Sequence, residues 1–205
     1  MNILPQAFYN RPTLQVAQDL LGCFLVRKYP FPYEGEGRVR LEKFKIVETE
    51  AYNGPNDRAS HVSRGRTKRN EVMFGSSGII YVYFTYGMHY MLNIVTGPKD
   101  FPAAVLIRAV EPMKSPLDKG GLGDFQSNGP AKLTKALRID KSFNGLPIYI
   151  KKHGLWIEGR DWKLPKSQIV KAKRIGVDYA GIYKDKLWRF YIKASKFVSK
   201  KNRAI

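Results

Sequence analysis

The segment IIYVYFTYGMHYMLNIV, residues 79–95, constrains the fold more than any other part of the chain. Two apolar runs rich in aromatic and β-branched residues flank Thr85-Tyr86-Gly87-Met88, which reads as a tight turn. Strands Ile79–Phe84 and His89–Val95, joined so closely, pair antiparallel. Further strands are expected over Cys23–Tyr29, Arg38–Leu41, Phe44–Glu48, Ala103–Val110, Ile169–Val177 and Leu187–Ile192. Helical spacing is rarer. A helix begins near Thr13, carries Leu14, Ala17 and Leu21 and stops at Gly22. Thr67 is expected to cap a short helix over Lys68–Phe74, and Pro130 opens another through Leu137. Hairpins outnumber strand–helix–strand units, and no repeat, linker or change of composition divides the chain. One mixed α/β domain of α+β type over residues 1–205, with mostly antiparallel pairing, is the expected architecture.

Charge then narrows the partner. Lys and Arg number 36 against 17 Asp and Glu, a formal charge of +19. That imbalance favours a polyanion, because each phosphate neutralised releases counterions. No long basic amphipathic helix and no apolar run of membrane-spanning length is present, so nucleic acid is expected and membrane is not. One cysteine, Cys23, excludes an internal disulfide framework, and the first residues lack a signal-peptide pattern. An intracellular location is expected: the cytoplasm of a bacterium or the nucleus of a eukaryote. Histidines 61, 89 and 153 lack metal-ligand spacing, so neither a metal nor another cofactor is expected.

Against this charge, the acidic cluster of KIVETEAYNGPNDRASH stands out. If the strand continues regularly, Phe44, Ile46, Glu48 and Glu50 share one face, which would aim Glu50 at the edge of an apolar pocket. A carboxylate held there is suited to general-base work. The same pattern also fits a strand end with two solvated glutamates. Arg108 interrupts AAVLIRAV and needs an anionic partner, which could be a pocket carboxylate, a phosphate or a structural pair with Glu111. Asn93, in an apolar hairpin, either reads a base edge or caps a backbone group. Tyr86 on a turn tip is either a wedge for a base stack or a ring folded back on its own strands. The basic loop RGRTKRN lies between His61 and Phe74. Arg66, Lys68 and Arg69 from it, with Met88 on the turn and Lys132 on the expected third helix, are candidate DNA-backbone contacts.

IVETEAYNGPNDRASH, TKRNEVMF, YVYFTYGMHYMLNIV, AAVLIRAVEP, NGPAKLTKALRID and RIGVDYAG, in that order, resemble the alkyladenine (3-methyladenine) DNA glycosylase family from about Pro12 to the C-terminus. The resemblance implies a curved sheet with flanking helices and a protruding β-hairpin. It implies a monofunctional enzyme that flips damaged purines (3-methyladenine, other alkylpurines or hypoxanthine) out of double-stranded DNA and hydrolyses the N-glycosidic bond. A monomer is expected, since monomeric action fits a protein that scans DNA. Residue by residue, it implies that Glu50 activates water and Arg108 helps position it. Tyr52, His61 and Tyr83 would enclose the base, Asn93 would obstruct guanine, and Tyr86 would intercalate. His89, where mammalian members carry tyrosine, a 61–70 loop about one residue shorter and a longer early hairpin near Arg38–Lys43 are departures from that pattern. The competing class is a basic nucleic-acid-binding protein without catalysis, its carboxylates structural.

Overall fold

The structure is a computed structural model that describes residues 1–30, 39–85, 87–113 and 127–200, with only the backbone described at 30, 39 and 40. In chain order its elements are α1 (Gln6–Tyr9), α2 (Thr13–Asp19), β1 (Phe24–Pro30), β2 (Val39–Asn53), β3 (Ile80–Thr85), β4 (His89–Val95), β5 (Ala103–Pro112), α3 (Pro130–Ala136), β6 (Leu155–Glu158), β7 (Ile169–Ala172) and β8 (Arg189–Ile192). The strands form one antiparallel sheet in the order β3-β4-β5-β2-β1-β6. The sheet forks at β2, whose first half pairs with β1 and whose residues Glu48–Glu50 pair with β8, which in turn pairs with β7. The α+β reading holds. Among the described residues no helix is long and apolar enough to cross a membrane.

Several expected boundaries move. Arg38–Leu41 and Phe44–Glu48 are parts of one strand, because β1 and then β8 supply its edge without a break. Glu48 and Glu50 therefore lie inside a strand and not at its end. The strand expected over Ile169–Val177 stops at Ala172, where the pairing with β8 ends. The expected helix over Lys68–Phe74 is only a 3-10 turn, Glu71–Phe74. Thr67 makes the expected capping bond, its Oγ1 accepting from Asn70 N, but the turn starts later, at Glu71, and Asn70 spans the loop by donating to the carbonyls of His61 and Gly65. The single-turn α1 and the short β6 had no periodic signal long enough to register. Most of the glycine-rich stretch 119–129 lies outside the described residues.

Strand alternation sorts the sheet into two faces. Ile80, Val82, Leu92, Ile94, Val105, Ile107 and Ala51 join the main core with Val16 and Ala17 of α2, Leu20 just after it and Leu133 of α3. Full burial of each large aliphatic side chain there contributes about 1.5–3 kcal/mol. Thr49 also faces α2, its Oγ1 donating to Ala17 O at 2.8 Å. Tyr81, Tyr83, Asn93, Leu106, Glu50 and Tyr52 belong to the alternate positions.

The regular alternation expected through Phe44, Ile46, Glu48 and Glu50 does not hold. Ile46 pairs with Val110, Glu48 with Ala109 and Thr49 with Ile107, so Val47 is an extra residue on β2 and Arg108 one on β5. Ile46 and Val47 both enter the core, as do Ala109 and Val110. The two bulges flip the phase of both strands and then restore the register. An unbroken strand would have driven both glutamates into apolar packing, at several kcal/mol per unpaired charge. The flip turns Glu48, Glu50 and Arg108 together onto the opposite face.

Candidate active site

Register aligns the site. Across adjacent strands Tyr81 pairs with Asn93, Asn93 with Leu106, Leu106 with Glu50 and Glu50 with Arg189, one row over five strands. Above this row opens a cleft of about 280 Å³ lined by Tyr52, His61, Tyr83, Asn93, Arg108 and Tyr179, among others. Five residues predicted from the sequence thus meet in one cavity, although they come from four strands and a loop.

Glu50 lies directly behind that lining and is fully buried. Its Oε1 accepts from Ile175 N at 2.9 Å, and its Oε2 accepts from Tyr52 Oη at 3.0 Å and Arg108 Nη1 at 3.3 Å. A carboxylate offers about four acceptor directions, so three partners leave room for one more. Glu48, also fully buried, is engaged differently. It accepts from Arg189 Nη1 (2.9 Å), Ser199 N (2.7 Å) and Ser199 Oγ (3.0 Å), and lies 3.5 Å from Arg108 Nε. Of these partners only Arg108 lines the cleft. Glu48 ties down the C-terminal segment, whereas both Tyr52 and Arg108 connect Glu50 to the cavity. Burial works against the Arg108 charge, but Glu50 and Glu48 outweigh it and raise its pKa overall. The Arg108–Glu111 pair, one of the alternatives, does not form: Glu111 bonds Lys45 at 3.0 Å.

The rings sit close together. His61 stands edge-on to Tyr83 at 4.4 Å between centroids, and its Nδ1 lies 3.2 Å from Tyr81 Oη. One edge of His61 is exposed, but desolvation of the rest lowers its pKa from 6.5, and the charge of Arg69 acts in the same direction. Desolvation also raises the pKa of Tyr52 well above 10, reinforced by the Glu50 charge, so its hydroxyl stays a donor. Both N–H groups of the Asn93 amide are engaged by main-chain carbonyls, Tyr81 O at 3.2 Å and Met91 O at 3.3 Å. Asn93 does cap backbone groups, and it also lines the cleft.

The basic candidates lie outside this lining. Arg66 is exposed and bonds Glu71 at 3.0 Å; Lys68 is exposed. Arg69 donates to Phe84 O at 2.8 Å and lies over Tyr83, tying the basic loop to the hairpin. Lys132 donates to Asn128 Oδ1 at 3.3 Å, and Met88 is exposed on the turn. Gly87 in the turn has a positive φ, 67°. Tyr86 lies outside the described residues.

A sequence model of the methylpurine-DNA glycosylase family matches residues 7–196. The chain belongs to this methylpurine-DNA glycosylase family. It is 48% identical to a protein of Methanocella arvoryzae over 98% of both chains, and 48% identical to one of Carboxydothermus hydrogenoformans over 97% of this chain and 100% of that one. A Clostridium perfringens protein is 44% identical over 97% of this chain and 99% of its own. All three carry the name "Putative 3-methyladenine DNA glycosylase".

Three parts of this glycosylase site carried no assigned role in the sequence. The Ile175 amide is a backbone donor and has no side-chain signature. Arg174 and Asp57 form a buried bidentate pair at 2.5 and 2.8 Å, and Arg174 lies over the rings of Tyr52 and Trp188. Asp57 also accepts from Asn53 N and Ala59 N, and so fixes the turn that leads to His61. Its place in a Gly-Pro-Asn-Asp turn was the one available signal.

Proposed function

We propose that this chain excises methylated purines such as 3-methyladenine from duplex DNA, with Glu50 activating the water that hydrolyses the N-glycosidic bond. The observation that carries this reading is the Glu50 carboxylate held by Arg108, Tyr52 and the Ile175 amide at the back of an aromatic cleft. As the bond to the base lengthens, positive charge grows on the sugar, and a nearby carboxylate both stabilises that charge and takes a proton from water. The water would enter where the longest contact, Arg108 to Glu50, gives way. Tyr52, Tyr83 and a neutral His61 suit a cationic alkylated base, because ring faces attract cations and an uncharged imidazole does not repel one. Such a base departs neutral and needs little acid assistance, whereas hypoxanthine needs a hydrogen bond to leave.

The described residues that line the cleft include no lysine. That favours hydrolysis over a mechanism with an amine nucleophile, which would go on to cut the strand. A buried glutamate–arginine–tyrosine set beside a cavity likewise speaks against a protein that only binds DNA. The test is release of free base from methylated duplex DNA. Wild type should release it, and Glu50→Gln should bind the duplex yet release less than about one hundredth as much, the scale of general-base catalysis. Near-normal release by the Gln variant would overturn the role of Glu50.

A further inference from the structure

Exposed apolar surface is gathered around the cleft. Among the described residues the largest exposures of big apolar side chains belong to Ile182 (74%), Tyr179 (69%) and Met88 (68%). Met88 lies on the β3–β4 turn, its N–H donating to the carbonyl of Thr85, a residue that lines the cleft. Tyr179 and Ile182 come from a separate element, the 3-10 segment Asp178–Asp185, which follows the cleft-lining stretch Ile175–Val177. Tyr179 itself lines the cleft, and its Oη donates to Ala59 O at 3.3 Å.

This segment is two-faced. Val177, Ala180 and Tyr183, three residues apart, pack with Ala59 and Tyr52 on the site side. Tyr179 and Ile182 are exposed instead, Tyr179 at the cleft with its Oη on Ala59 O. Gly181 between them has φ 58° and ψ −132°, a backbone conformation open to glycine and strained for other residues. Arg174 holds the segment from behind by donating to Tyr183 O at 3.2 Å. The exposed face thus stands on a fixed support that adjoins the ring of Tyr52. Around it lie Arg58, Lys184 and Lys186, all exposed, with Asp178, while Asp185 is paired with Lys173 at 2.6 Å.

We propose that Tyr179 and Ile182 form a second DNA-docking lip, which packs on the sugar and base surface beside the flipped nucleotide while Arg58, Lys184 and Lys186 meet the adjoining phosphates. The inference rests on the base-excision reading above. A nucleotide inside the cleft remains covalently joined to its two neighbours, so duplex must cross the cleft mouth on both sides. The β3–β4 turn serves one approach, and the segment carrying Tyr179 and Ile182 is, among the described residues, the other wall-forming element with strongly exposed apolar side chains. An apolar patch ringed by cations fits a ligand with apolar sugars and bases between phosphates, and fits a second copy of this +19 chain poorly.

The test uses the full chain and two duplexes of one sequence, one undamaged and one with a stable abasic-site analogue. Tyr179→Ala combined with Ile182→Ser should weaken binding to the abasic duplex about tenfold or more, the scale of one ring–base stacking interaction, with the slope of log affinity against log salt unchanged. Lys184→Gln with Lys186→Gln should make that slope shallower by about 1–2, one unit for each phosphate no longer neutralised. Ile182→Ser alone, checked by thermal melt, separates weakened docking from a failure to fold. Binding by a folded Ile182→Ser protein and by the double variant within twofold of wild type overturns the lip. A dimer of wild type that the apolar variants dissolve, with DNA affinity unchanged, also overturns it and makes the face a self-association surface. Wild type that binds the abasic duplex but releases no methylated purine defeats the base-excision reading and not the lip.

Discussion

At the scale of single residues, the site depends on which groups are charged. His61 is a case where pH reads the environment directly. Its pKa in the folded protein lies below 6.5, so the unfolded chain binds the proton more tightly. The stability this group permits is full above pH 6.5 and is lost as pH falls through that value toward the depressed folded pKa. Wild type should therefore lose melting temperature relative to His61→Asn as pH drops from 7 to 5, and a constant difference would contradict the assignment. Asn93 makes a separate prediction. Its N–H groups are tied to Tyr81 O and Met91 O, so its effect on a base in the cleft is expected to come from bulk. Asn93→Ser should raise guanine release relative to methyladenine release by about tenfold, the scale of one steric discrimination in a pocket. The readout is the ratio of the two rates in a variant shown by melting to be folded.

At the scale of elements, the cleft is held by clamps between loops. The Asp57–Arg174 pair joins the turn before His61 to the segment whose Ile175 amide holds Glu50. Burial disfavours the Arg174 charge, yet its bonds to Asp57 outweigh that and raise its pKa. Asp57→Asn leaves a buried cation without its anion, a loss of about 3–5 kcal/mol, or about 6–20 °C in melting temperature for a chain of this size. Excision should fall more than DNA binding, because the clamp bears directly on Glu50 through the Ile175 amide. Equal losses in kcat and in binding would mean that the clamp supports the whole fold and not the site in particular. The paired bulges of β2 and β5 are the other element-scale device. They make Glu48, Glu50 and Arg108 neighbours by turning two strands at one level of the sheet.

At the scale of the molecule, the excess of 36 basic over 17 acidic residues should govern attraction to DNA before any lesion is recognised. Affinity for undamaged duplex should fall with salt at a log–log slope of about −3 or steeper, reporting more than three neutralised phosphates. A flat dependence between 50 and 200 mM salt, about the range over which such contacts weaken strongly, would remove electrostatics as the source of non-specific binding. Glu50→Gln should leave this slope unchanged, since Glu50 is buried and bonded internally.

Much of the cleft was legible in order along the chain. The hairpin of residues 79–95 was readable because alternation and a glycine turn are local signals, and β3 and β4 form close to where they were expected. Glu50, Arg108, Asn93 and the site rings were marked by being the wrong residue type for an apolar run, or by the blocks that carry the family resemblance. Regular alternation assigned Glu50 to the face of Phe44 and Ile46, and two bulges reverse that face. A bulge is a property of a strand pair, settled when β5 and β2 bury Val47 and Val110 together, so no single segment encodes it visibly. The same holds for the Ile175 amide and the Arg174–Asp57 clamp. Their partners lie more than a hundred residues apart, and such contacts become definite only when tertiary packing removes water from both sides. Which residues are candidates for the chemistry was written locally in the chain; which way they face, and what holds them there, was decided by the packing of the sheet.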